Sequence, residues 1–332
     1  MNPIRTTALA AALSLAVTAQ AGPVTYRVDL IAAGDSAECL AMNHRGDLAG
    51  TIAVDPHVAY SQDAVVITAH AMRRSGYSTG RASSIAVGLD DHRIAVGWIV
   101  ADPSEGTPIA AFWTHDGAQH RLAGGSLASQ ARAINAHGVV AGWAISMSGL
   151  ERAVTWQHGK LVELDPGRPG AAYAINDAGQ AAGWSSLASM QVPTIFAGGA
   201  ATPIGTLGGS GGGIANGING AGHVVGQSFV AGNAHVHAFF YDGAMQDLGA
   251  PADRDSYAYA INASDVAVGA SFGDSGEPGI GLVWIGRTMY ALDDLLDPVT
   301  GAGWRFVEAA AIDDSGRICA RGSLGAAVLT PM

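Results

Sequence analysis

The sequence predicts an all-β fold, a seven-bladed β-propeller of four-stranded antiparallel blades closed by its own N-terminal strand. Three observations carry this. A unit built on Ala-x-Ala-Ile-Asn-x-x-Gly recurs seven times along the chain. Glycine is abundant where charge is sparse. A strand left over near the start matches one missing at the end.

The repeat decides the architecture, because self-similarity at a fixed period marks a propeller or solenoid. Its clearest copy is Ala131-Arg132-Ala133-Ile134-Asn135-Ala136-His137-Gly138, followed by Val139-Val140-Ala141-Gly142. The Ile-Asn step returns as Met42-Asn43, Leu89-Asp90, Ile175-Asn176, Ile218-Asn219, Ile261-Asn262 and Ile312-Asp313, spaced by 41 to 51 residues. A four-stranded blade takes about 40–45 residues.

Each feature has a mechanical reading. Asn or Asp opens a hairpin turn by bonding its own backbone, and glycine takes the positive φ at its end. Gly46, Gly138, Gly179, Gly222 and Gly316 fill that place, while Arg93 and Asp265 depart from it. A second glycine, seven residues after the Asn, marks a close backbone approach inside a strand. Four residues before the Asn stand Ala86, Ala131, Ala172, Ala215, Ala258 and Ala309, with Cys39 in the first copy. Small residues at period two give that strand one bare face, which suits the crowded centre of a ring. A second hairpin completes each unit, as in Ala111-Phe112-Trp113 running through Asp116-Gly117 to Leu122.

The last unit ends after Ala326-Ala327-Val328-Leu329-Thr330 without a fourth strand, and Tyr26-Arg27-Val28-Asp29-Leu30 stands spare before the first unit. Pairing the two closes a ring. An open solenoid would need polar capping repeats, and none is visible.

Composition agrees. With 46 glycines and 14% charged residues, the chain is too apolar for disorder and too glycine-rich for helices. Residues 1–21 read as a secretory signal: Arg5, an apolar stretch from Ala8 to Val17, and the cleavage pattern Ala19-Gln20-Ala21. That stretch is shorter than the roughly 20 residues that span a bilayer. Residues 22–332 are then the propeller, secreted to a periplasm or beyond, with no membrane insertion. Loss of Arg5 leaves 16 cationic against 28 anionic side chains, a net charge of −12, and Lys160 is the sole lysine. Nucleic acid is excluded as a partner, since binding phosphates requires clustered cations. A monomer is expected.

The same residues carry a resemblance. The chain is similar to the HAF-repeat family of extracellular repeat proteins. His237-Ala238-Phe239 matches the eponymous tripeptide, Ile204-Gly205-Thr206-Leu207-Gly208-Gly209 the family linker, and Leu292-Asp293-Asp294-Leu295-Leu296 with the final Leu329-Thr330-Pro331 its ending. The resemblance covers nearly all of residues 22–332, departs most around Val65 to Ser83, and implies an extracellular location without a particular chemistry.

Candidate sites are few. Cys39 and Cys319 fall in the first and last units, which adjoin in a closed ring. Export permits a disulfide, stabilising by roughly 4–5 kcal/mol in the chain-entropy model; the alternative is two small buried thiols. Trp98, Trp143 and Trp184 follow the strand glycine in three consecutive units, an arc suited to stacking on sugar faces or to packing between blades. The ring of Asn and Asp could offer oxygens to Ca²⁺, although turn chemistry alone accounts for it. His235 and His237 alternate on one strand, short of the three or four ligands zinc needs. Gly208-Gly209-Ser210-Gly211-Gly212 matches a nucleophile elbow only formally, since that motif requires a strand-to-helix turn. No metal or cofactor is expected. The leading reading is a binding or scaffold module for a glycan, small ligand or protein; the rival is a polysaccharide-active enzyme with its site at the axis.

Overall fold

The computed structural model describes residues 24–33, 37–54, 62–69, 71–74, 83–100, 106–124, 127–273 and 277–332. The expected signal, residues 1–21, lies outside them, as does part of the divergent stretch between Val65 and Ser83. The described residues form seven four-stranded antiparallel sheets. Blades 1 to 6 comprise 37–74, 83–121, 129–163, 170–203, 208–247 and 255–291, each a run of sequential hairpins. Among the described residues the one helical element is a 3-10 turn, Leu292–Leu295.

Blade 7 takes three strands from the end of the chain and its outermost one, Tyr26–Ala33, from the beginning. That strand runs antiparallel to Gly325–Pro331, with Val28 opposite Leu329 and Leu30 opposite Ala327. Its outer edge is tied down as well: the Tyr26 carbonyl accepts the Asp297 N–H at 2.8 Å, and the Val28 N–H donates to Thr300 Oγ1 at 3.1 Å. The ring is therefore closed by both ends of the chain.

The first strand of every unit lies innermost, and adjacent inner strands touch around the whole ring, Phe306–Ile312 against Ala37–Met42 included. The small residues explain how seven strands crowd there. Ala86, Ala131, Ala172, Ala215, Ala258 and Ala309 are fully buried. A methyl group on Gly97, Gly142 or Gly183 would collide with the carbonyl of Ile85, Gln130 or Ala171 on the paired inner strand. Blade 7 has Ala320 at this place, and there the inner strand carries a second bulge between Phe306 and Glu308.

Apolar packing lies between blades. Among the described residues seven buried clusters occupy the seven junctions. Between blades 2 and 3, Trp156 packs with Val96, Ala110 and Ala131, and its indole N–H donates to the Ala123 carbonyl at 2.9 Å. Trp113 and Trp284 are likewise fully buried, each such side chain stabilising by several times thermal energy, about 1.5–3 kcal/mol. The junction of blades 7 and 1 is the smallest cluster, Cys39, Leu48, Ala311 and Cys319. It has no buried aromatic, and here the two cysteines meet with Cα atoms 6.1 Å apart, a separation that suits a disulfide.

The Asn ring clasps the blades together. Asn135 Oδ1 accepts the N–H groups of His137 and Val139 at 3.1 and 3.0 Å, closing its own turn. Its Nδ2 donates to the carbonyl of Asn176 in the next blade at 3.0 Å. Asn43, Asn176, Asn219 and Asn262 repeat this donation to Asp90, Asn219, Asn262 and Asp313 at 2.9–3.1 Å. Asp90 and Asp313 lack the donor. After Asp313 the tie is made by Arg317, which binds Asp313 Oδ2 at 2.6 Å and reaches the His44 carbonyl at 3.3 Å. The two departures from glycine in the turn now make sense. Arg93 and Asp265 adopt φ of 63° and 60°, and both reach the preceding blade: Arg93 Nε binds Asp47 at 2.8 Å, and Asp265 accepts from Asn219 at 2.8 Å.

Candidate axial binding site

Two cavities lie along the axis. The first, about 300 Å³, opens at the Asn end and is floored by the apolar residue of each Ile-Asn step. Its rim carries His44, Asp91, Asp177 and Asp314. His44 stands between Asp91 (3.4 Å) and Asp314 (3.2 Å). The carboxylates already have work: Asp91, Asp177 and Asp314 accept backbone N–H groups of His44, Ala136 and Ala263 from the preceding blades at 2.8–3.1 Å. The Asn oxygens, turned into the backbone, are spent on their own hairpin turns.

The second cavity, about 470 Å³, lies toward the start of the inner strands. Its position follows from a bulge repeated in all seven blades, between the two small residues of Ala-x-Ala. A bulge sets two residues against one and re-aims the extra side chain. The extra residue is the variable x, and all seven line this cavity: Leu40, Val87, Arg132, Tyr173, Asn216, Tyr259 and Ala310. Sequence reasoning passed over them. The available signal was that x varies freely between two positions held to small residues.

The lining is lopsided. At the bulge position blades 7, 1 and 2 contribute Ala310, Leu40 and Val87, whereas blades 3 to 6 contribute Arg132, Tyr173, Asn216 and Tyr259; blade 7 also brings Glu308. The guanidinium of Arg132 lies 5.5 Å from the ring centre of Trp98 and 5.1 Å from that of Tyr173, held between rings from the blades on either side. Its nearest polar side-chain contact is Gln130 Oε1 at 3.4 Å, and among the described residues it forms no ion pair. Desolvation pulls its pKa down from the ordinary arginine value, yet the group stays protonated.

Burial raises the pKa of the Tyr173 phenol, and the Trp184 indole N–H and the Arg132 charge pull against it. Tyr259 is pushed well above the usual phenol range by burial and then by the charge of Glu308. Both phenols therefore remain hydrogen-bond donors. Asn216 Nδ2 donates to Gln227 Oε1 and to the Ala258 carbonyl at 2.9 Å; among the described residues Asn216 Oδ1 and Gln227 Nε2 have no further hydrogen-bond partner, and both residues line the cavity. Glu308, the carboxylate in this lining, is paired with Arg321 at 3.4 Å.

The tryptophan arc divides. Trp98 is half-buried against Arg132, and Trp184 is buried beside Tyr173. Trp143, opposite Gln130 and Ala153, is half-buried, and none of the three tryptophans is itself part of the cavity lining. His235 and His237 do not converge, since each faces its own carboxylate, Asp255 at 3.6 Å and Asp247 at 3.0 Å. Ser210 stands in the strand Gly208–Ile218, with no helix after it. Among the described residues no cluster of His, Cys, Asp and Glu could hold a metal ion, and no helix is long and apolar enough to cross a membrane.

No family model matches the sequence, and no curated protein does. Solved structures match in fold. The β-propeller domain of the Trilobed protease from Pyrococcus furiosus, described as having an open velcro topology, aligns at 13% identity over 77% of this chain and 81% of its own, with a TM-score of 0.54. TolB from Acinetobacter baumannii aligns at 13% identity over 73% of this chain, TM-score 0.50, and this chain spans 62% of its length. The acylaminoacyl peptidase of Pyrococcus horikoshii aligns at 10% identity over 89% of this chain and half of its own, TM-score 0.51. At these identities the likeness is to the propeller fold.

Proposed function

We propose that this protein is an exported binding module that takes a small ligand or the end of a glycan into its axial cavity, with the repeats as scaffold. One observation carries the reading: seven bulges aim the variable residue between the two small ones into a common cavity, while the small residues and the Asn hold the ring. A volume of about 470 Å³ falls in the usual range of small-molecule sites, roughly 300–1,000 Å³. The signal pattern and the HAF-repeat resemblance support export.

The test is ligand screening of the secreted chain by melting-point shift and glycan array. Binding should be lost with Tyr173→Ala and Asn216→Ala and kept with Trp143→Ala. Ligands whose binding ignores both cavity variants would place recognition on the outer loops and overturn the reading.

A second reading, catalysis, has one observation in its favour: His44 flanked by Asp91 and Asp314 at the other mouth. Asp177 makes the same backbone tie in blade 4 as Asp91 and Asp314 make at their junctions. Those carboxylates are thus accounted for by the ring itself, which favours binding.

A further inference from the structure

We propose that the axial cavity is a sugar-acid site, in which Arg132 grips the carboxylate and Tyr173, Tyr259 and Asn216 read the hydroxyls. The inference rests on the axial-cavity reading and narrows its ligand.

Arg132 is the point of departure. A guanidinium half withdrawn from water on a cavity wall normally has a carboxylate partner, because a partly desolvated charge is costly to leave uncompensated. Among the described residues Arg132 has none, and its one polar side-chain contact is the 3.4 Å approach to Gln130. What holds it is aromatic: Trp98 from blade 2 and Tyr173 from blade 4. A guanidinium resting on rings keeps its in-plane N–H donors, the edge that matches a carboxylate bidentately. The lone cation is thus fixed in place and lacks only an anion.

The charge balance selects a monoanion. The charged groups lining the cavity are Arg132 and Glu308, and Glu308 is already matched by Arg321. One positive charge is left over. A phosphate dianion would want a second cation, which the lining does not provide. A long polyanion meets a protein of net charge −11 and is repelled. A single carboxylate on a small body, free or at a chain end, fits.

The remaining lining asks for hydroxyls. Two protonated phenols, Asn216 and Gln227 provide donors and acceptors on the Arg132 side, while Leu40, Val87 and Ala310 give the opposite side apolar surface, interrupted by the Arg321-paired Glu308. A pyranose carrying one carboxylate presents both kinds of surface. Acetate alone would use Arg132 and nothing else.

Calorimetric titration of the secreted chain with D-galacturonate, D-glucuronate, D-galactose, D-glucose, acetate and inorganic phosphate tests this, with trigalacturonate as the chain-end probe. The uronates should bind at least tenfold more tightly than the neutral sugars, acetate or phosphate. Arg132→Gln should weaken the uronates by roughly 10- to 100-fold, the range for a hydrogen bond to a charged group. Its ligand-free melting point should stay at or above that of the parent, because an unpaired cation has been removed. Uronates no tighter than galactose, or unaffected by Arg132→Gln, overturn the proposal, as does phosphate or acetate binding as tightly. A neutral sugar that binds as tightly as the uronates and is lost with Tyr259→Ala would sink the sugar-acid assignment and leave the axial site standing. If every bound probe ignores Tyr259→Ala and Arg132→Gln alike, both fail.

Discussion

Replacing Asn135 by Asp separates the two tasks of the Asn ring. Asp keeps a side-chain oxygen for the N–H groups of His137 and Val139, so the hairpin turn survives. It loses the Nδ2 donor that reaches the Asn176 carbonyl at 3.0 Å. That carbonyl still accepts from Gly179 at 3.0 Å, so it is not stranded, and the missing bond costs about 1 kcal/mol. A buried carboxylate oxygen now facing a carbonyl oxygen raises the total to about 2 kcal/mol at pH 7. For a chain of this size that lowers the melting point by roughly 4 °C. The sign of the pH dependence follows from linkage. Burial against a carbonyl raises the folded-state pKa of the new Asp above its unfolded value of about 3.9. Stability relative to the parent is therefore recovered as pH falls toward 4 and lost as it rises through the folded pKa. Blade 7 supplies the rescue, since Arg317 four residues after Asp313 neutralises it at 2.6 Å. Adding Val139→Arg should restore at least half of the loss. Calorimetry at pH 4.5 and 7 reads all three. An Asn135→Asp melting point equal to the parent's at pH 7, or a deficit that does not shrink in acid, would show that the clasp holds nothing.

Three other perturbations probe the ring and its surroundings. Gly183→Ala drives a methyl into the Ala171 carbonyl and should cost about 1–3 kcal/mol as overpacking, seen as a lower denaturant midpoint; an unchanged midpoint would mean that the inner strand yields freely. Cys39 and Cys319 should be bridged in the exported protein, gaining 2 Da on reduction by intact mass, and the double serine variant should unfold earlier because the smallest apolar junction loses its tie; two free thiols in the secreted chain would count against it. Burial raises the pKa of Glu151, so its contribution to stability is present below the unfolded carboxyl pKa and lost as pH rises through the folded one. Glu151→Gln should accordingly stabilise at pH 7 and not at pH 4, and equal shifts at both would refute the assignment.

What the sequence made legible was whatever is local or repeated. The Ile-Asn steps announced hairpin turns because Asn, Asp and Gly act within four residues, and the spare strand at Tyr26 to Leu30 announced closure because its partner was visibly missing. The clasp was hidden, since Asn135 Nδ2 acts on a residue of the next blade, 41 positions on. The cavity was hidden for another reason. A strict alternation would give Arg132 the same standing as any outward residue, and only the bulge between Ala131 and Ala133 turns it to the axis. The tryptophans looked alike in sequence and are not: Trp98 rests against Arg132 of the next blade and Trp184 against Tyr173 of its own, contacts that no spacing in the sequence announces.

The division of labour between adjacent residues has a sharp consequence. In a sevenfold ring every position that packs blade on blade is constrained alike, so difference can accumulate only where the ring does not depend on the side chain. The bulge position comes nearest to that condition: it is unpaired in the ladder and faces a cavity, although Asn216 also ties its blade to the next. Ala310→Gln should therefore leave stability within about 0.5 kcal/mol, as for a substitution away from packed sites, while reshaping the apolar side of the cavity. Ala309→Val, one residue earlier and fully buried, should cost about 1–3 kcal/mol through overpacking. Paired denaturant curves decide it. Were Ala310→Gln to destabilise as much as Ala309→Val, the axial residues would be part of the structural core, and the cavity would be a gap between blades and not a site.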